Sequence, residues 1–266
     1  MESSYPLSRK KFAIYGFGLS GKSVLKFLKR LKVQNYYIWD DKKKVVGQQS
    51  FKNFSNLLLE VDFIVMSPGI DIKKSRFKSI LLKNKNKIIT DLDLFFMLKP
   101  KKINSIVITG TNGKSTTCKI VEHILKKNHK KVHLGGNIGQ PILDLKIKNN
   151  SYVIIETSSF QLNYSKFIKP TMAALLNITM DHLDWHRTMK NYVDSKFKIF
   201  SKQGKEDYAF LSQKNLINSF KKKKFESSLI KIKQNIYNKI IRKIDNEYLL
   251  SKSNEQNLLF AFFIAK

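Results

Sequence analysis

Cysteine occurs once in these 266 residues, as Cys118, so no disulfide within the chain is possible and a reducing compartment suits it. Long apolar runs are missing. Nothing approaches the roughly 18 consecutive apolar residues that a membrane span needs, and no span is expected. Met1 to Lys11 holds no apolar segment of the kind a secretory signal carries. These absences make the cytoplasm the expected location. Acidic residues are also scarce: 20 Asp+Glu stand against 50 Lys+Arg, a formal charge of +30. Such a balance raises nucleic acid or an acidic membrane surface as partner. The lysines, however, are spread along the whole chain, and the one compact run, Lys221 to Lys224, lies between apolar segments and reads as a solvated turn. No nucleic-acid partner is therefore expected, although a phosphate-rich ligand would benefit from the positive field. Hydrophobic residues make up 42%, enough for a packed core, and the length allows one large domain or two ordinary ones.

What is present centres on Ile106 to Thr117, I-V-I-T-G-T-N-G-K-S-T-T. Ile106, Val107, Ile108 and Thr109 read as a buried strand. Gly110, Thr111, Asn112 and Gly113 break it, and Lys114, Ser115, Thr116 and Thr117 open a helix running to about Asn128. A Gly-rich turn between strand and helix aims backbone N–H groups at one spot, and the helix N-terminus adds partial positive charge. Lys114 supplies a full charge for β/γ-phosphates, and the Ser115 hydroxyl can ligate Mg²⁺. Ile108 stands where the first Gly of the general P-loop spacing would be, while the core G-x-x-G-K-S-T is intact. A chance Gly-Lys-Ser turn would lack the flanking strand and helix.

Before this stretch, residues 11–15 form a short strand followed by Gly16-Phe17-Gly18-Leu19-Ser20-Gly21, a complete G-x-G-x-x-G. A helix follows, with Val24, Leu25, Leu28 and Leu31 at helical spacing. Tyr36 to Trp39 is a strand ending in Asp40 and Asp41. This βαβ unit reads as a dinucleotide-type fingerprint, in which Asp40 could accept from a ribose hydroxyl or a base. Val61 to Met66 is a strand running into Ser67-Pro68-Gly69-Ile70. A helix over 75–83, a strand at 87–89 and a helix over 91–98, capped by Asp91, follow. Pro100-Lys101-Lys102 reads as a linker, which divides the chain into residues 1–99 and 100–266. After the P-loop come strands at 131–134, 151–155, 171–178 and 208–211, a Gly-rich loop at 135–139, and helices over 191–201 and 254–266. Residues 227–250 mix short strands and turns. Strands alternating with helices predict an α/β fold with mainly parallel sheet.

Glu156 ends an apolar strand; beside a triphosphate, Mg²⁺ is the natural cation for its carboxylate, against the plainer reading of an ordinary strand-end charge. His182 and His186, four apart, could share a helix face and hold zinc, but no further His or Cys completes a set. One histidine near the phosphates is the better functional reading of His182, and a structural histidine remains open. Nothing in the pattern singles out Lys196. The residues alone lead to a two-unit α/β protein that binds a nucleotide-like ligand first and ATP with Mg²⁺ second. A nicotinamide dehydrogenase built on the first fingerprint would leave the P-loop, Glu156 and His182 unexplained. A nucleic-acid ATPase is the reading the charge suggests.

The chain resembles the Mur ligases. The matching strings are G-F-G-L-S-G at 16–21, S-P-G-I at 67–70, G-T-N-G-K-S-T at 110–116, G-G-N-I-G at 135–139, E-T-S-S-F-Q-L at 156–162, N-I-T-M-D-H-L-D at 177–184 and Y-V-D-S-K at 192–196. The string at 156–162 favours the branch that adds D-glutamate to UDP-N-acetylmuramoyl-L-alanine. The resemblance implies a Rossmann-like N-terminal domain holding UDP near Leu19, Ser20, Asp40 and Gly69, and a central P-loop domain holding ATP. Lys114 would stabilise the β/γ-phosphates. Ser115 and Glu156 would ligate one Mg²⁺ and His182 a second, with Lys196 carbamylated to help orient them. Asn137, Ser158 and Gln161 would line the muramoyl-alanine path, and Asn254 and Asn257 would lie beside adenine. The family pattern there carries a glycine and a histidine where this chain has Ser251 and Ser253. The implied activity is amide formation through an acyl phosphate in peptidoglycan precursor synthesis, by a monomer. The family also has a third, C-terminal domain that carries most D-glutamate contacts, and this sequence stops at Lys266. The alternative expectation is accordingly a non-catalytic Mur-like protein that binds the UDP-muramoyl ligand and ATP.

Overall fold

The structure, a computed structural model, describes residues 7–242 and 244–266; the signal-peptide expectation at Met1 to Lys11 therefore lies partly outside the described residues. Two units separate by their internal contacts. The first takes the described residues up to Lys99 together with Pro141–Leu145 and Asn163–Phe167, and the second takes the remainder.

The first unit is built on β1 (Phe12–Tyr15), α1 (Leu19–Arg30), β2 (Tyr36–Trp39), α2 (Phe51–Glu60), β3 (Phe63–Met66), α3 (Lys78–Lys83), β4 (Ile88–Ile89) and α4 (Asp91–Leu98). Its sheet runs β2-β1-β3-β4, with every pair parallel. All four residues of β1 are buried, as expected for a strand covered on both faces rather than one. α2 escapes the sequence reading, though Ser50 caps it through Asn53 N–H and Phe54 and Leu58 bury one face. Those two apolar residues sit four apart, a weak signal in so short a segment. Around Phe77 the rings of Phe51 (4.9 Å), Trp39 (5.2 Å) and Phe54 (5.3 Å) pack closely. α4 starts where predicted, but Asp91 is not its cap. Thr90 holds that position, and the Asp93 carboxylate accepts from the Thr90 N–H at 2.8 Å, closing a capping box.

The second unit comprises β5 (Ile103–Thr109), α5 (Lys114–Lys127), β6 (Val132–Gly136), β7 (Ser151–Glu156), α6 (Ser159–Tyr164, which runs on into the first unit), β8 (Met172–Leu175), α7 (Leu183–His186), α8 (Met189–Phe197), β9 (Tyr208–Leu211), α9 (Lys214–Lys222), β10 (Ser228–Lys231), α10 (Tyr237–Ile241), α11 (Glu247–Leu250) and α12 (Glu255–Ala265). The sheet order is β10-β9-β8-β5-β7-β6, again parallel throughout. The P-loop strand β5 is central, flanked by β7 and β8. Ile106 and Ile108 of β5, Val121 and Leu125 of α5, and Leu258, Phe260 and Ala261 of α12 belong to one buried cluster. α12 buries Leu258, Leu259, Phe260, Ala261 and Ile264 in that cluster, while Phe262 on its other side is exposed. Cys118 is buried in α5, and burial pushes its thiol well above the ordinary value, so it behaves as a small core residue.

Truncating the central ring of the first unit, Phe77→Ala, is expected to cost about 3–5 kcal/mol. The drop in the urea midpoint, at unchanged slope, is the measurement.

Candidate functional site

Parallel order puts the carboxyl ends of β5, β6, β7 and β8 on one edge, where the loops after them meet. Ile108 pairs with Glu156, and Gly136 pairs with Glu156 on the other side, so the residues after β5 and β6 flank the end of β7. Ser115, Asn137 and Glu156 meet there. The Ser115 hydroxyl donates to Glu156 Oε2 at 2.7 Å, and Asn137 Nδ2 donates to Glu156 Oε1 at 3.0 Å. Glu156 is only 2% exposed, so these two donors hold a carboxylate that water hardly reaches.

The loop itself follows from its glycines. Gly113 has φ +80, and a Cβ there would stand 2.1 Å from Asn257 Oδ1. The helix ladder opens with Thr117 N–H to Gly113 O at 2.9 Å. The N–H groups of Lys114, Ser115 and Thr116 therefore have no acceptor within α5 and face the loop mouth. Lys114 Nζ donates to Gly110 O (3.1 Å) and Thr111 O (2.8 Å), folded over the loop that would carry phosphate.

Lys196, on α8, is 2% exposed and donates from Nζ to Gly110 O at 2.8 Å, with its charge over the Tyr192 ring at 4.8 Å. Burial, and secondarily the charge of Lys114, push its pKa down to about 7. Spacing could not single it out; the fold does. His182 stands off from this group. It takes a left-handed conformation (φ 51), packs on Phe160 at 4.8 Å and lies 3.3 Å from Asp181. Among the described residues no hydrogen bond joins it to Ser115, Glu156 or Lys114. His186 turns the other way, with Nε2 2.9 Å from the Ser159 hydroxyl, and burial with the charge of Lys196 pushes its pKa down to about 4. No group of three or more His, Cys, Asp or Glu able to hold a metal occurs among the described residues. A site for Mg²⁺ needs fewer protein ligands. The adjacent oxygens of Ser115 and Glu156, with phosphate completing the shell, fit that ion's preference for hard oxygen donors.

Several expected residues have local tasks. Ser158 and Gln161 form a capping box on α6: Gln161 N–H donates to Ser158 Oγ (3.3 Å) and Ser158 N–H to Gln161 Oε1 (3.2 Å). The S-x-x-Q spacing was the available signal. Asn254 and Asn257, expected beside adenine, are buried. Asn257 accepts from Thr117 Oγ1 (3.2 Å) and donates to Asn254 Oδ1 (2.9 Å), and Asn254 donates to Tyr248 O (2.8 Å) and Ser251 Oγ (3.1 Å). In this structure the amides brace the start of α5. Sequence reading left Asn177 and Tyr192 without roles. Asn177 Oδ1 accepts from the N–H of Thr111 (3.1 Å) and Asn112 (2.9 Å), and the Tyr192 hydroxyl is 2.9 Å from Thr111 Oγ1.

In the first unit, Gly16 has φ +94, and a Cβ on Gly21 would stand 2.1 Å from Gly16 O, whereas Gly18 and Gly69 open onto free space. Leu19 is 79% exposed and Ser20 half-buried at the start of α1. The Asp40 carboxylate accepts from the N–H groups of Phe17 (2.7 Å), Lys42 (2.8 Å) and Lys43 (2.9 Å). Burial alone would raise its pKa, but these donors outweigh burial and hold it below the ordinary value. Asp40 thus fixes the turn that Leu19, Ser20 and Gly18 share.

A model of the Mur ligase middle domain matches residues 108–262. The chain belongs to the Mur ligase family. It is 37% identical over 213 residues to the UDP-N-acetylmuramoylalanine–D-glutamate ligase of Aquifex aeolicus, covering 80% of this chain and 48% of that protein. The like-named ligase of Rickettsia prowazekii is 39% identical over 227 residues (82% and 49%), and that of Buchnera aphidicola 35% over 269 residues (97% and 57%). The chain spans about half the length of these relatives. The fold is similar to that of the UDP-N-acetylmuramate:L-alanyl-γ-D-glutamyl-meso-diaminopimelate ligase from Neisseria meningitides. That likeness has a TM-score of 0.51 at 13% identity and covers 83% of this chain and 78% of that one. Family and α/β fold class thus agree with the sequence reading. No helix among the described residues is long and apolar enough to cross a membrane.

Lys196 carries a pH prediction. Its folded pKa of about 7 lies below the ordinary 10.5, so between those values the unfolded chain binds more protons. Stability should rise with pH across that window, the burial penalty being fully present below pH 7 and gone above 10.5. In CO₂-free buffer, the difference in Tm between Lys196→Met and wild type should shrink from pH 7 to pH 10; a pH-independent difference would contradict the depressed pKa.

Proposed function

We propose that this chain carries the nucleotide-handling part of an ATP-dependent ligase that joins D-glutamate to UDP-N-acetylmuramoyl-L-alanine in peptidoglycan precursor synthesis. The observation that carries the reading is the buried Glu156 carboxylate, held by Ser115 and Asn137 at the mouth of the P-loop. The names and identities of the relatives support the substrate pair.

A carboxylate is a poor acyl donor because oxide is its leaving group. Transfer of the γ-phosphoryl of ATP to the alanine carboxylate gives an acyl phosphate. The D-glutamate amine then adds to the acyl carbon, loses its proton, and phosphate leaves. Lys114 would swing from the Gly110 and Thr111 carbonyls onto the phosphates, replacing dipole contacts with a charge pair. The free N–H groups of Lys114, Ser115 and Thr116 would hold the β-phosphate. Mg²⁺ on Ser115 and Glu156 would supply charge neutralisation between the converging anions. A Lys196 amine that loses its proton near neutral pH can add to CO₂, releasing a proton and leaving a carbamate anion in place of a cation. A second Mg²⁺ is assigned to that carbamate with His182. The support is that both residues pack against the Tyr192 ring, the His182 ring at 6.3 Å and Lys196 Nζ at 4.8 Å. Asn137, Ser158 and Gln161 are assigned to the muramoyl-alanine path. The UDP moiety is assigned to the first unit, at Leu19, Ser20, Asp40 and Gly69. The monomeric state is proposed with the same reading.

The test supplies the purified chain with ATP, Mg²⁺, UDP-N-acetylmuramoyl-L-alanine and D-glutamate. The expected result is phosphoryl transfer from ATP that depends on UDP-N-acetylmuramoyl-L-alanine, lowered about 100-fold or more by Glu156→Gln, with amide as the product where D-glutamate is bound. Binding of both ligands with no phosphoryl transfer would instead select a non-catalytic binder.

A further inference from the structure

The amide of Asn177 uses its whole hydrogen-bonding capacity, two acceptor sites and two donors. Oδ1 accepts from the N–H groups of Thr111 (3.1 Å) and Asn112 (2.9 Å). Nδ2 donates to Asn112 O (3.1 Å) and to Gln256 Oε1 (3.3 Å). Its backbone carbonyl takes a further bond from Thr111 N–H at 3.0 Å. Gln256, at the start of α12, is itself fixed: its Nε2 donates to Leu176 O (2.9 Å) and Ser212 Oγ (2.8 Å). A single side chain therefore ties the P-loop to the ends of β8 and α12.

We propose that Asn177 is the positioning residue that preforms the phosphate cradle, and that Gln256 holds it in register. The inference rests on the ATP-binding reading and names the part of the fold that makes that site rigid. The loop 110–113 has two classes of N–H. Those of Thr111 and Asn112 point away, into Asn177; those that open α5 face the mouth. Without the Asn177 side chain, the Asn112 N–H would lose its partner and the Thr111 N–H would keep only the Asn177 backbone carbonyl, so the loop could close on itself or turn the Asn112 N–H toward the mouth. An ordered loop binds an anion without first having to be ordered, and a loose one binds it more weakly by that ordering cost. Aspartate keeps the acceptors but loses both donors and adds an anion beside the phosphate site. Leucine keeps the shape and loses all four bonds. Gln256 touches no ligand on this account; it acts only by holding Nδ2 of Asn177, so its effect disappears once Asn177 is gone.

The experiment titrates Mg·ATP and inorganic tripolyphosphate onto the wild-type chain, Asn177→Leu, Gln256→Leu and the double variant. Amide hydrogen exchange is followed at Thr111, Asn112 and along β5. The expected result is about a 10-fold loss of affinity for both probes in Asn177→Leu. A smaller loss is expected in Gln256→Leu, and none beyond that of Asn177→Leu in the double variant. Exchange at Asn112 should accelerate, more than at Thr111, which keeps its bond to the Asn177 backbone carbonyl, while β5 stays protected. Unchanged affinity in variants with faster loop exchange or a lower Tm would reduce Asn177 to a structural residue and overturn the proposal. Unchanged exchange would overturn the clamp itself, and additive losses would overturn the role of Gln256. Gln256→Leu keeps the test open if Asn177→Leu does not fold. Failure of the wild type to bind either probe would overturn the ATP reading first, and is seen in the wild-type titration alone.

Discussion

A carboxylate removed from water must be held by donors, and the nucleotide end of the second unit is arranged around one such group. Glu156 lies at the end of β7, nearly without exposure, with one oxygen on Ser115 and the other on Asn137. An uncompensated buried charge costs several kcal/mol, so neither donor can be removed without consequence for the other two residues. Ser115 opens α5 after β5, Asn137 follows β6, and Glu156 ends β7. The parallel register that pairs Gly136 and Ile108 with Glu156 is what brings them within reach. The chemistry asked of the site and the electrostatics of its resting state are the same arrangement: a carboxylate that needs a partner, beside a hydroxyl, at a helix N-terminus.

Around that carboxylate the positive charges face the opposite difficulty. Lys114 and Lys196 both donate to Gly110 O, and the charge of Lys114 raises the cost of a charge on Lys196. An arriving polyanion relieves the repulsion. So does loss of the Lys196 proton, which burial already favours. The site is in this sense under-neutralised on one side and sealed on the other.

Much of this was readable in the residues. The strand before Gly110 and the helix after Lys114 were legible because β-branched residues, glycines and a Lys-Ser-Thr opening leave few alternatives. Glu156 was legible because a charge closing an apolar strand has few reasons to be there. Lys196 was not, since one lysine among so many carries no pattern until α8 folds it against Gly110. Asn177 stood out only as part of a string, because an amide held by loop backbone and a distant glutamine has no sequence signature. Asn254, Asn257, Ser158 and Gln161 were expected to face ligands. Each also has a local task, Asn254 and Asn257 beside the start of α5 and Ser158 and Gln161 capping α6. Residues that hold a site in shape lie in the same strings as those that touch ligand, and spacing alone cannot separate them. The helix α2 was missed because its pattern rests on little more than Phe54 and Leu58.

The central strand of the second unit pairs with a neighbour far along the chain. The loop it leads into is clamped by Asn177, 66 residues after Thr111. Contacts so distant in sequence form late and slowly. During synthesis the whole Gly-Thr-Asn-Gly-Lys-Ser stretch is therefore exposed to solvent well before its shape exists. A nascent chain can spell the phosphate loop while being unable to hold a phosphate, and nucleotide binding would mark the arrival of β8 rather than of the motif itself.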